Sequence, residues 1–382
     1  MKTISFNVND VLTSVANASM AVNPQITMPI LKNLLIEVVE VSDTRYMLIV
    51  GSDGETWVRK KAQVSFDSDL CSFCVDAKKL LSILNDLKND TIVFNIDEEK
   101  KMINAKYSKG KFAIPFVDAQ EYISYKEPSS ENNNILCFGE TIKQGLRKLQ
   151  HVLCKDTLRI NLQCVHFDIS TQGITMCGTD GFVLSEFFIE NTDKSSGEDE
   201  NISEFNLPPK PATILASLLE DGDLNIIYDE KTICFVSDNL MLVTRLPELK
   251  FPDYKKIIPL DNPKDVKVDK KSLINALKFV NNLGDDSNFV ILDFDGDKIN
   301  ISARNIDFST SATETIDAIS SNIEGNFKIG FNSERLMTLI GTNIDDEDVT
   351  MKMSEPEKAI LLFPSGNKEF RQLCMCTPMR IN

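Results

Sequence analysis

Histidine, tryptophan and long apolar runs are scarce in this chain of 382 residues, and each scarcity removes a class of function. There are two histidines, His151 and His166, and one tryptophan, Trp57. Neither histidine stands in a paired metal motif such as H-E-x-x-H. The chain has no G-x-x-x-x-G-K-[ST] phosphate loop and no G-x-S-x-G nucleophile elbow. Apolar runs fall short of the ~18 residues of a membrane helix. Residues 1–7 lack the apolar stretch of a secretion signal, so a cytoplasmic protein free of membrane is expected. Nine cysteines, an odd number scattered among apolar residues, read as reduced thiols packed like small hydrophobes. Cys71-Ser72-Phe73-Cys74 has no second pair at zinc-ribbon spacing. Asp293-Phe294-Asp295-Gly296-Asp297 resembles a calcium loop, but its glycine comes at the fourth place and Arg304 stands where a bidentate Glu belongs. It reads as a hairpin turn. Neither a metal nor a cofactor is expected.

What is present is repetition. Gly178-Thr179-Asp180-Gly181 is entered from an apolar run at 174–177 and left through another at 182–189. Gly51-Ser52-Asp53-Gly54 repeats the arrangement 127 residues earlier, about a third of the chain. Asp53 and Asp180 have no recurring acid, base or nucleophile beside them, so turn chemistry explains them better than catalysis.

Helical periodicity recurs with the turns. In the first third, Val11, Leu12, Val15 and Ala18 mark a helix over 9–20 behind an Asn9-Asp10 cap. Asp76 caps a second, with Leu80, Leu81, Leu84 and Leu87 on one face. The second third has helices over 139–153, striped by Ile142, Leu146, Leu149 and Leu153, and over 208–220. The last third has helices over 269–281, capped by Asp269, and 333–341, opened by Ser333. Phe73, Phe205 and Phe327 each lead into the second helix of their third. Strands fill the rest, including one over 159–162. A polar stretch at 127–134 has the composition of a boundary, and the acidic, serine-rich 190–201 that of a surface loop. The expected fold is α+β, three copies of one unit, over 1–127, 128–253 and 254–382.

Charge separates the helices from the rest. The chain carries −16, which taken whole argues against a nucleic-acid binder. Yet the six helices hold eleven basic residues: Lys78, Lys79, Lys88, Lys143, Arg147, Lys148, Lys210, Lys270, Lys271, Lys278 and Arg335. Against them stand seven acids. A basic face on an acidic protein can hold phosphates without sequence preference. Solvated helix faces rich in lysine are the competing reading.

With these residues in view the chain resembles the bacterial DNA polymerase sliding clamp, the beta subunit of the replicative DNA polymerase III. The resemblance runs the whole length. It is carried by Thr27-Met28-Pro29-Ile30-Leu31-Lys32-Asn33-Leu34-Leu35, by Thr179-Asp180-Gly181 with Leu184, by Phe251-Pro252-Asp253-Tyr254-Lys255-Lys256-Ile257-Ile258-Pro259, and by Thr377-Pro378-Met379-Arg380-Ile381.

The resemblance implies a non-catalytic processivity factor: a head-to-tail homodimer whose three clamp domains per chain close a ring around double-stranded DNA. Two helices per domain would line the hole, with antiparallel sheets outside. Lys78, Lys79, Lys143, Arg147, Lys148, Lys210, Lys270, Lys271, Lys278 and Arg335 would face the phosphates. It also implies a pocket for short peptides of the replicative polymerase and clamp-loader subunits. That pocket would use Leu162, Thr179, Gly181, Phe182, Val183, Leu184, Pro252, Lys256, Ile257, Pro378, Met379, Arg380 and Ile381. Phe112 and Ile114 would lie at the dimer joint. Phe182-Val183 stand where the family often has His-Arg, Lys256 where it often has Arg, and Gln25 where an Arg meets DNA. The alternative is a monomeric repeat scaffold that binds proteins and never encircles DNA.

Overall fold

The computed structural model describes residues 2–42, 44–66, 70–128, 134–190, 201–365 and 370–381. Most of the acidic loop and part of the polar boundary stretch lie outside them. The described residues form six α-helices: α1 (Val8–Ser19), α2 (Ala77–Asp86), α3 (Gly139–Leu149), α4 (Pro209–Leu218), α5 (Lys270–Asn281) and α6 (Ser333–Asn343). All strand pairing between them is antiparallel, in sheets of five, nine and twelve strands. The order strand, helix, strands, strand, helix, strands occurs three times.

The helices begin where short polar side chains supply the free amides of a first turn. Asp76 accepts from Lys79 N at 2.8 Å and Asp269 from Ser272 N at 2.7 Å, as expected. Two caps differ. Asn7, not Asn9-Asp10, opens α1, accepting from Asn9 N at 2.9 Å. Asn332, not Ser333, opens α6, accepting from Arg335 N at 3.0 Å.

Contacts divide the chain into two compact units, residues 1–143 with 213–247, and residues 144–212 with 248–382. The first unit holds two sheets. One runs Ser65–Phe66, Lys2–Asn7, Thr91–Asp97, Met102–Tyr107, Gly110–Pro115. The other carries Thr56–Gln63 beside Leu240–Arg245, with Val58 opposite Leu242 and Thr56 opposite Thr244. α1 and α2 lie side by side on this framework and bury Val11, Val15, Ala18, Leu80 and Leu84. The second unit is built on the twelve-stranded sheet, where Val183–Glu190 pairs with Phe370–Cys376. α5 and α6 pack together and bury Leu273, Leu277, Val280, Leu336 and Ile340.

Two local expectations fail. Residues 159–162 are not a strand but belong to a 3-10 turn, Ile160–Gln163. The reason is Asp156, whose carboxylate takes Leu158 N at 3.0 Å and Arg159 Nε at 3.2 Å and curls the chain. The helix expected to reach residue 153 ends at Leu149. Residues 150–154 turn back, with Cys154 N donating to Leu162 O at 3.0 Å. The Asp293–Asp297 stretch is the expected hairpin turn, with Gly296 at φ +59.

Candidate functional site: an apolar pocket and basic helix faces

The second Thr-Asp-Gly turn is closed by its own side chains and by Asp180 N donating to Val183 O at 3.3 Å. Thr179 Oγ1 donates to Val183 O at 2.6 Å and accepts from Gly181 N at 3.0 Å. Asp180 Oδ1 accepts from Phe182 N and Val183 N, both at 2.8 Å. Gly181 sits at φ +92, and a Cβ there would come within 3.2 Å of Arg159 Nη1, so only glycine fits without strain.

Two arginines hold this turn from outside. Arg159 Nη1 donates to Asp180 O at 3.0 Å. Arg335 Nε donates to Asp180 Oδ2 at 3.2 Å, and its guanidinium lies 4.0 Å above the Phe182 ring. Both arginines border a cleft of about 360 Å³ that also touches His151, Asp156, Val183 and Thr338. Arg159 was missed by sequence reasoning because it was placed in a strand. Arg335, expected to face DNA, pairs here with Asp180 and stacks on Phe182 while its side chain stays 37% exposed.

Three segments meet at the turn. The C-terminal segment arrives through Thr377, whose N and Oγ1 donate to Phe182 O at 2.9 and 3.0 Å. Met379 N then donates to Gly330 O at 2.8 Å, an isolated bridge. A Cβ on Gly330 would meet Met379 O at 2.8 Å, so the bare Cα permits the approach. The connecting segment contributes Phe251 and Tyr254, which form one apolar cluster with Cys177, Leu184, Leu361 and Met375. Leu162, Thr179, Val183 and Leu184 are buried, and of the expected pocket residues only Val183 lines the cleft described above. Phe182, Ile257 and Ile381 remain 46%, 58% and 37% exposed. Gly181, Pro252, Lys256 and Arg380 are exposed at the rim, while Pro378 and Met379 are half-buried. Buried aliphatic side chains beside exposed apolar ones leave a patch that can take further apolar groups.

The helix cations divide. Lys78, Lys79, Arg147, Lys271 and Lys278 are exposed. Lys143 pairs with Glu140 at 3.3 Å, Lys210 is half-buried, and Lys270 donates to Ile344 O. Lys148 corrects the sequence reading. It is buried, and its ammonium donates to Asn343 O at 2.9 Å, Asp345 Oδ2 at 2.7 Å and Gln372 Oε1 at 3.1 Å. It is an internal anchor between α3, α6 and the last strand, with no donor left to offer a phosphate.

At the expected dimer joint, Ile114 is buried in the core of the first unit, and Phe112 packs edge-on against Phe94 at 6.5 Å. Among the described residues their strand, Gly110–Pro115, pairs only with Met102–Tyr107, so its other edge is open. The cysteines are free, and burial pushes the thiol of Cys71 up to about 11 and that of Cys74 to about 12. Thiols held protonated this way are poor nucleophiles and poor metal ligands.

Family models give the geometry its context. One described as the DNA polymerase III beta subunit, C-terminal domain, matches residues 255–380, and one for its N-terminal domain matches residues 2–126. The chain is a member of the bacterial beta sliding clamp family. The beta sliding clamp of Pseudomonas putida is 23% identical over 363 residues, covering 93% of both chains. That of Staphylococcus aureus is 21% identical over 384 residues, covering 95% of this chain and 96% of its own. Among solved structures, the Pseudomonas aeruginosa sliding clamp bound to griselimycin superposes with a TM-score of 0.90 at 21% identity, covering 100% of both chains. The Bacillus subtilis clamp gives 0.87 at 18%. Among the described residues no group of three His, Cys, Asp or Glu could hold a metal, and no helix is long and apolar enough to cross a membrane.

Proposed function

We propose that two copies of this chain close head to tail into a ring around duplex DNA in the cytoplasm and hold a replicative polymerase there, without a catalytic step. The three modules are 1–127, 128–253 and 254–382. Threading keeps the ring on DNA, so Lys78, Lys79, Lys143, Arg147, Lys210, Lys270, Lys271 and Lys278 need only weak, salt-dependent contacts with phosphates. The pocket at the second turn tethers polymerase and clamp-loader peptides, and the tether raises the effective concentration of polymerase at the primer end.

The observation that carries this reading is the pair of joints already inside the chain. In each, the strand that leaves a Ser/Thr-Asp-Gly turn pairs with the last strand of the neighbouring module: Thr56–Gln63 with Leu240–Arg245, and Val183–Glu190 with Phe370–Cys376. The third module has the corresponding strand, Thr310–Ser321. Among the described residues its 310–317 portion is paired on one side only, with Lys298–Asn305. The first module has the corresponding last strand, Gly110–Pro115, also open on one side. An open edge seeks a partner, and a third joint of the same kind closes two copies into a ring.

Internal equivalence also gives its register. Thr56 faces Thr244 and Val183 faces Cys376. The equivalent positions put Thr310 opposite Ile114, Ala312 opposite Phe112, and Glu314 opposite Gly110 of the second copy. Phe112→Asp should then weaken the dimer, and Ala312→Lys in the same chain should restore it, read as mass in solution by light scattering. A wild-type mass of one chain at micromolar concentration would favour the monomeric scaffold. Retention on circular duplex and loss from linear duplex with free ends would support encirclement; equal retention would count against it.

A further inference from the structure

The first amide of each module's first helix marks one position in all three. Val8 N donates to Asp90 O at 3.0 Å, Gly139 N to Gly222 O at 2.9 Å and Lys270 N to Glu347 O at 2.8 Å. Two residues before these carbonyls stand Lys88, Glu220 and Asp345. The two acids belong to the modules whose last strands are already joined, and each receives a lysine from the module before it. Lys60 Nζ lies 3.8 Å from Glu220 Oε1, and Lys148 Nζ lies 2.7 Å from Asp345 Oδ2. Both lysines are buried and both acids are mostly exposed. Taking an ammonium out of water costs free energy that a nearby acid must offset. Burial lowers Lys60 from the ordinary lysine range, and Glu220 opposes that shift.

In the first module the same position carries the opposite charge. Lys88 is exposed, and among the described residues no ion pair joins it within the chain. The strand that would meet this module is Thr310–Ser321 of a second copy. On that strand the residue in the place of Lys60 is Glu314: Thr56 and Thr310 correspond, and each lies four residues earlier. Side-chain alternation agrees. Lys60 lies between Val58 and Ala62 on one face, Glu314 between Ala312 and Ile316, and these four neighbours are buried. Both charges therefore stand on the buried face of their strand. Glu314 is half-buried and, among the described residues, also has no ion pair within the chain. The sign is thus reversed at the joint the chain leaves open, with lysine on the receiving module and the acid on the incoming strand.

We propose that Glu314 of one copy pairs with Lys88 of the other, and that this reversed pair fits the outer edges to each other and not to the inner ones. The inference rests on the ring reading above. Correct closure puts opposite charges together at all three joints. An outer edge set against an inner one puts like charges together, Lys60 against Lys88 or Glu314 against Glu220, and like charges within a seam cost affinity. Three seams of one backbone design are told apart by the sign of one residue on each side.

The test is the dissociation constant of the full-length dimer, from light scattering over a dilution series. Lys88→Glu sets glutamate against glutamate at both joints of the ring, and Glu314→Lys sets lysine against lysine. Each alone should weaken the dimer about a hundredfold in ~50 mM salt, roughly tenfold per joint, and by much less in ~1 M salt, where charges are screened. Mixing the two variants should restore the dimer to within about threefold of wild type, because both joints of the mixed ring then hold opposite charges. If the thermal midpoint shows that Glu314→Lys does not fold, Glu314→Gln takes its place and should recover at least about tenfold in the same mixture. Single variants that dimerise as wild type does, or a mixture no tighter than its parts, overturn the inference. Phe112→Asp separates the two readings. If it breaks the dimer while Lys88→Glu does not, the ring stands and the charge pair falls; a wild-type mass of one chain removes both.

Discussion

The two joints within the chain share one turn and differ in how full they are. In the first, Asp53 Oδ1 accepts from Glu55 N at 3.0 Å and Thr56 N at 2.8 Å, with Gly54 at φ +90. In the second, Asp180 and Gly181 do the same work at nearly the same geometry. The strand after the first turn then presents Trp57, and the strand after the second presents Leu184. Tyr122 shares an apolar cluster with Trp57, and Phe251 and Tyr254 share one with Leu184. Trp57 is buried and donates from Nε1 to Ile123 O at 3.1 Å. Tyr122 is buried, its hydroxyl 3.4 Å from Val50 O. The indole fills the first joint. Leu184 stands in its place in the second, beside Phe251 and Tyr254, and Ile257 faces solvent. One backbone design thus carries a larger or a smaller side chain behind the same turn, and the seam is correspondingly fuller or emptier.

That comparison can be broken by exchanging the volumes. Trp57→Leu should empty the first joint and lower stability by about 3 kcal/mol, measured by chemical denaturation. It should also add a weak second peptide site, raising the stoichiometry seen by calorimetry. Leu184→Trp should fill the second joint and weaken peptide binding by about a hundredfold, ~2.7 kcal/mol, with the dimer mass unchanged. Arg335→Ala sharpens the rim. Phe182 would lose the cation above its ring, and peptide affinity should fall roughly threefold, with retention on circular DNA unaltered. The smallest change is at Glu55, which occupies the place of Phe182 in the first joint and pairs with Arg245 at 3.4 Å across an exposed surface. Glu55→Ala should shift stability by less than about 0.5 kcal/mol, because solvent screens the pair.

Much of this was legible in the sequence because repetition makes each segment a check on the others. The turns at 51–54 and 178–181 fixed the frame, and apolar stripes such as Leu80/Leu84 and Leu273/Leu277 placed helix faces that are buried. Failures came where a side chain's partner is far along the chain. Lys148 reads as one more helix lysine, and nothing local reveals that Asn343, Asp345 and Gln372 wait for its ammonium nearly two hundred residues away or more. Residues 159–162 carry strand-like apolar spacing, and only the Asp156 carboxylate turns them into a 3-10 bend. Periodicity reports which face is dry; it does not report which charge is already taken.

The bridge between Gly330 and Met379 offers a built-in reporter. A lone amide–carbonyl pair, unsupported by a ladder on either side, opens easily and exchanges its hydrogen with water. A guest lying across the neighbouring rim would shelter that amide. Deuterium uptake at Met379 should therefore slow in step with occupancy, giving a readout of tethering on the unlabelled ring while it stays threaded on its template.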